Sequence, residues 1–133
     1  MISQKILSAG IVIGMFLSGL TCADGKSDFE FMDYQCTGDE SGQSYFTSEW
    51  RAGRQAVRVN STMNCAFSAQ APEYEIKDKG IVFKYRTTAV EKGAFAACEC
   101  SHRIVFNLKI DEGFSVRVYQ DGSELPEKQM GVN

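Results

Sequence analysis

Residues 98–110 read CECSHRIVFNLKI. The even positions are Cys98, Cys100, His102, Ile104, Phe106, Leu108 and Ile110. The odd ones are Glu99, Ser101, Arg103, Val105, Asn107 and Lys109. Successive side chains of an extended strand point to opposite faces of a sheet. The alternation therefore predicts a strand with an apolar even face and, apart from Val105, a wet odd face. Two cysteines and the only histidine of the chain begin the face that is expected to be buried.

Strand patterns of the same kind lie on both sides of this stretch. DFEFMDYQC (28–36) is rich in aromatics. QSYFTSEW (43–50) and RQAVRVN (54–60) flank Arg51-Ala52-Gly53. CAFSA (65–69) is a shorter candidate. EYEIKD (73–78) and IVFKYRTT (81–88) flank Lys79-Gly80. The quoted stretch and FSVRVYQ (114–120) flank Asp111-Glu112-Gly113. Gly and Asp at these junctions suit tight hairpin turns. No stretch carries a helical period. The expected fold is all-β, an antiparallel β-sandwich (Ig-like) or a small barrel of 7–8 strands. The last segment, 123–133, reads as a loose tail or a short edge strand. If the strands run alternately up and down, Cys36, Cys65, Cys98 and Cys100 all fall at one end of the molecule. That end also takes the longer connections, 37–43, 61–64 and 89–97, while the opposite end has tight turns.

The beginning of the chain reads differently. Lys5 precedes the apolar run ILSAGIVIGMFLSGL (6–20), and Thr21-Cys22-Ala23 follows. The run is shorter than the roughly 20 apolar residues that span a membrane, and the small residues fit a cleavage site. The pattern predicts a secretory signal peptide over 1–23, a β-sandwich domain over 24–122 and a tail over 123–133. A lipid anchor at Cys22 is the alternative. Cleavage leaves four of the five cysteines, an even number that suits two disulfides in a small exported domain. The protein is thus expected to be periplasmic or extracellular. The formal charge is −3, and loss of Lys5 makes the mature chain more acidic. Nucleic acids and anionic membrane surfaces favour basic faces, so neither is an expected partner.

Cys98, Cys100 and His102 could together hold a soft metal ion, because residues i and i+2 of a strand share a face. In an exported chain with two further cysteines at the same end, structural disulfides are the expected reading, with no cofactor. Cys98 and Cys100 do not suit each other, since their Cα atoms would lie about 6.6 Å apart with parallel side chains. The expected bridges are Cys65–Cys98 and Cys36–Cys100, and the crossed pairing stays open. His102 is then a core histidine with a hydrogen-bond partner.

A hydrolase triad needs a histidine base in reach of a nucleophile; the single histidine lies on a core face. The acid pairs Asp39-Glu40 and Asp111-Glu112 sit in turns and read as solvated. Trp50 reads as a packing residue, and Arg51, Arg54 and Arg58 as a solvated sheet face. Asn60-Ser61-Thr62 fits a glycosylation acceptor. No enzymatic activity is expected. The expectation is an exported binding module that meets a protein partner through the loops of the cysteine end, with Glu40, Phe46, Lys92 and Phe95 as candidate contacts.

Two resemblances add to this. Cys98-Glu99-Cys100-Ser101-His102-Arg103-Ile104, then Phe106, a Gly turn and Val116-Arg117-Val118, resembles small exported bacterial Cys-x-Cys β-sandwich proteins, with Cys65 as their upstream cysteine. The resemblance implies a fold and an export route. Tyr34-Gln35-Cys36-Thr37-Gly38 and Ser68-Ala69-Gln70-Ala71-Pro72-Glu73-Tyr74 resemble segments of periplasmic lysozyme inhibitors of the small β-barrel type. Gln70 and Ala71 stand where that family has serine and glycine, and Tyr74 matches its tyrosine. That resemblance implies inhibition of an enzyme, with Tyr74 near the contact.

Overall fold

The computed structural model describes residues 27–129. The expected signal peptide, with Cys22, and residues 130–133 lie outside that range. Eight strands follow one another: β1 Phe29–Tyr34, β2 Tyr45–Arg51, β3 Arg54–Asn64, β4 Phe67–Lys77, β5 Gly80–Ala89, β6 Glu99–Lys109, β7 Ser115–Gln120 and β8 Ser123–Glu124. They form two four-stranded sheets, β1-β6-β3-β2 and β4-β5-β7-β8. The fold is an all-β sandwich. Alternation builds the space between the sheets: Val57 and Val59 of β3 and Ile104, Phe106 and Leu108 of β6 meet Ile81, Phe83 and Tyr85 of β5 and Val118 of β7. Phe106 is the hub of the aromatic contacts. Its ring centroid lies 4.9 Å from Phe83, 5.1 Å from Phe31, 6.0 Å from Tyr85 and 6.1 Å from Phe29.

The strands do alternate in direction, but their lateral order is not that of a meander. β6 lies between β1 and β3 and is antiparallel to both. β7 runs parallel to β5 in the other sheet. Residues 111–113, read as a hairpin turn, therefore carry the chain from one sheet to the other. The physical reason is the shared core between the sheets. The buried face of β6, Ile104, Phe106 and Leu108, needs an opposite layer, and Val118 of β7 lies in the core of that layer, with Phe114 and Val116 packed against it. A true hairpin does join β2 to β3. Its turn residues Ala52 and Gly53 both have positive φ, 51° and 82°, as the tightest hairpin turns require.

Polar contacts close the two seams between the sheets. On one side Ser123–Glu124 pairs with β7 and the chain then crosses to β2, where Phe46 N–H donates to Pro126 O (3.0 Å) and Lys128 N–H donates to Phe46 O (2.7 Å). On the other side the Asp33 carboxylate of β1 accepts from Ala69 N–H of β4 at 2.8 Å. Between the layers, Ser61 and Tyr85 both donate to Gln120 Oε1 at 2.8 Å. Burial pushes the Tyr85 hydroxyl pKa well above the usual tyrosine value.

Candidate functional site

Alternating strand direction is enough to bring the four cysteines together, whichever strands are neighbours. Cys36 bonds to Cys100 and Cys65 to Cys98, with Cα separations of 5.2 and 5.6 Å. This is the first of the two pairings left open by the sequence. The buried face of β6 begins later than the alternation suggests. Cys98 is exposed and Cys100 half-buried, and His102 is the first fully buried residue of that face. Cys98 precedes β6 and reaches outward to Cys65 in the β3–β4 turn, where Cys65 N–H donates to Cys98 O at 3.0 Å. Ser101, on the face read as wet, is buried because residues 37–39 lie over it: Gly38 N–H donates to Ser101 O at 2.8 Å.

Of the His102 side chain, 0% is exposed. Its Nδ1 lies 2.9 and 3.2 Å from the two carboxylate oxygens of Asp33, whereas Nε2 is buried with no hydrogen-bond partner. Asp33 thus serves two groups, the imidazole and the Ala69 N–H. The sequence held a signal for this contact. Phe29, Phe31 and Asp33 share one face of β1, so a carboxylate stands where the alternation calls for an apolar residue. A carboxylate brought that close to a core needs a partner, and the chain contains a single histidine.

The three expected loops differ in kind. Residues 61–64 are no loop, because β3 runs on to Asn64 and buries Ser61 and Met63. The 37–43 loop is pinned by Asn60. Its Oδ1 accepts from Asp39 N–H (2.8 Å) and its Nδ2 donates to Gln43 O (2.8 Å). Asn60 is buried with its amide so engaged, which takes it out of reach as a glycosylation acceptor. Gly38 passes so close that a Cβ there would lie 2.3 Å from Asn60 Oδ1. Hydrogen bonds from Tyr45 and Ser41 hold the exposed Asp39 carboxyl at about 2, below its usual 3.8, and the same contact raises the Tyr45 pKa. Glu40 is exposed on this loop. Phe46 is not a loop contact: it is 2% exposed and belongs to the core through β2. Trp50 is half-buried and donates from Nε1 to Ile110 O at 2.8 Å, closing the opposite end.

The third loop, 90–98, projects. Asn64 fixes its far limb as a strand neighbour would. Its Nδ2 donates to Ala96 O (2.7 Å) and its Oδ1 accepts from Ala96 N–H (3.0 Å) and Ala66 N–H (3.0 Å). Val90 N–H donates to Ala66 O at 2.8 Å, and the Cys65–Cys98 bridge closes the base. Between these ties Val90 is 60% and Phe95 79% exposed, with Lys92 exposed beside them. These are two large apolar side chains in water on a loop held at both ends.

Ser68–Tyr74 lies within strand β4, with a shift of register between Gln70 and Glu73. Tyr74 is 38% exposed, and its ring stands 4.7 Å from that of Phe29 at the rim of the core. The outer face of β4, β5 and β7 forms an open groove of about 1020 Å³. Several of its charges are matched: Lys84 pairs with Glu75 at 3.7 Å, and Arg117 with Glu124 at 3.0 Å. The groove is not apparent in the sequence, because its lining comes from three strands separated along the chain. No protein-family model, curated protein or solved structure matches the chain.

Proposed function

We propose that the protein is an exported, non-enzymatic binding module that meets a protein partner with the 90–97 loop. The single observation behind this reading is Val90 and Phe95 standing in water on a loop tied by Asn64 and the Cys65–Cys98 bridge. An apolar side chain held out by an ordered backbone loses little freedom on binding and gains burial in a partner's pocket, which is how interface anchors work. Lys92 supplies a polar rim. Export is supported by the two disulfides, which persist in oxidising compartments. Among the described residues no helix is long and apolar enough to cross a membrane.

The test is capture of partners from the native envelope by three forms of the purified protein. The wild-type protein and Glu112→Ala, altered at the opposite end, should retain the same partner. The double variant Val90→Ser, Phe95→Ala should release it, with at least about a tenfold loss of affinity, equivalent to about 1.4 kcal/mol. Retention by the double variant overturns the reading.

A further inference from the structure

The sulfurs of Cys36 and Cys100 and a ring nitrogen of His102 lie within 4.8 Å of one another. Bonds of about 2.0–2.3 Å from nitrogen and sulfur to a single ion would space such ligands by roughly 3.3–3.9 Å, so small movements suffice to bring all three onto one ion. The set differs from the one the Cys-x-Cys-x-His spacing suggests. Cys98 is engaged by Cys65 and points outward, and Cys36 takes its place.

Three further features favour this cluster as a metal site. Asp33 holds His102 Nδ1, the carboxylate–imidazole contact that fixes the ring of a metal-binding histidine. His102 Nε2 is left buried without a partner, and buried polar atoms rarely stay so. Met63 pairs directly with Cys100 across β3 and β6 and is buried. Direct cross-strand neighbours share a face, so a thioether stands beside the thiols. Two thiolates, an imidazole and a thioether form a soft donor set, suited to copper(I) and unsuited to magnesium or calcium.

We propose that reduction of the Cys36–Cys100 bridge turns the cysteine end into a copper(I) site, with Cys36, Cys100 and His102 Nε2 as ligands and Met63 as an auxiliary donor. Cys36 is exposed, so a dithiol from solvent can attack the bridge. The dithiol gives up two electrons and two protons. The sulfur–sulfur bond breaks to two thiols, and the dithiol closes to its own disulfide. Copper(I) then displaces the two thiol protons, forming two copper–sulfur bonds and one copper–nitrogen bond, and its oxidation state does not change.

The test uses the purified protein under nitrogen, reduced with a phosphine to the point where only Cys36–Cys100 is open, verified by alkylating a sample and mapping the labelled cysteines by peptide mass. Copper(I) is titrated in competition with bicinchoninate. The reduced protein should withdraw one equivalent, and the oxidised protein none. X-ray absorption of the loaded wild-type protein should show nitrogen as well as sulfur around the metal, a readout that needs no variant to fold. His102→Gln should weaken binding by about tenfold or more. An all-sulfur shell, equal binding by the oxidised protein, or full affinity in a folded His102→Gln variant overturns the proposal.

Discussion

The two ends of the sandwich are held by different means. At the turn end the chain reverses in a few residues, with positive φ at Ala52, Gly53 and Asp78, and Trp50 and Gly53 both bond the backbone of Ile110. The strands leading there carry Val57, Phe106 and Leu108 inward. At the cysteine end the same strands carry Asn60, Ser61, Ser101 and His102, all buried. Met63 is the buried apolar residue these two strands add there, and hydrogen bonds and two covalent bridges supplement it. The long loops lie at the polar end for the same reason. Connections that do not depend on tight turns can be longer, provided that their bases are anchored, and the bridges and Asn side chains are those anchors.

The contrast can be broken from either side. Phe106→Ala removes the ring that joins both sheets and should cost about 3–5 kcal/mol in denaturant unfolding, with the cysteine end losing hydrogen-exchange protection only as the whole domain unfolds. Replacing Cys36 and Cys100 by serine opens a bridge between residues 64 apart in sequence and should cost about 3–4 kcal/mol. Replacing Cys65 and Cys98, 33 apart, should cost slightly less, about 3 kcal/mol. The second pair should also free the amides of 94–97 to exchange while β5 and β7 stay protected. Equal loosening of both ends would contradict the division drawn here. Asp33→Ala strips the partner from His102 Nδ1 and Ala69 N–H and should cost about 2–3 kcal/mol, read in the same unfolding assay.

The smallest effect is confined to one loop. Asp39 has a folded pKa of about 2 against 3.8, so the fold favours its ionised form. Its contribution is present above pH 3.8 and disappears as pH falls through about 2. A carbon-detected NMR titration should place its midpoint near 2, and Tyr45→Phe should raise it, since the Tyr45 hydroxyl is the largest cause of the shift. A midpoint unchanged in that variant would show that Tyr45 does not hold the Asp39 carboxyl down.

Much of the architecture was legible because it depends on side-chain alternation. The inward face of β6 from His102 to Leu108, the hairpin at Ala52-Gly53 and the convergence of the cysteines all follow from period-two patterning and alternating direction. The lateral order of the strands did not follow, because alternation states which face is buried and not which strand lies alongside. Phe46 illustrates the same limit: it follows the 37–43 loop closely and is expected as a contact of that end, yet in β2 its own face is the core. The 61–64 segment reads as a loop in the sequence because Ser61, Thr62 and Asn64 are turn-prone residues. Here they are strand residues whose polar groups are satisfied by Gln120, Ser101 and Ala96. The Asp33–His102 contact and the groove on β4, β5 and β7 join residues far apart in sequence.

The two ends can be set against each other in the cells that make the protein. A photo-crosslinking phenylalanine analogue is placed at Phe95 in one strain and at Glu112 in another, and adducts are compared after illumination. Position 95 should give a discrete protein adduct and position 112 none. An adduct from 112 alone, or from neither position, would contradict the proposed use of the 90–97 loop.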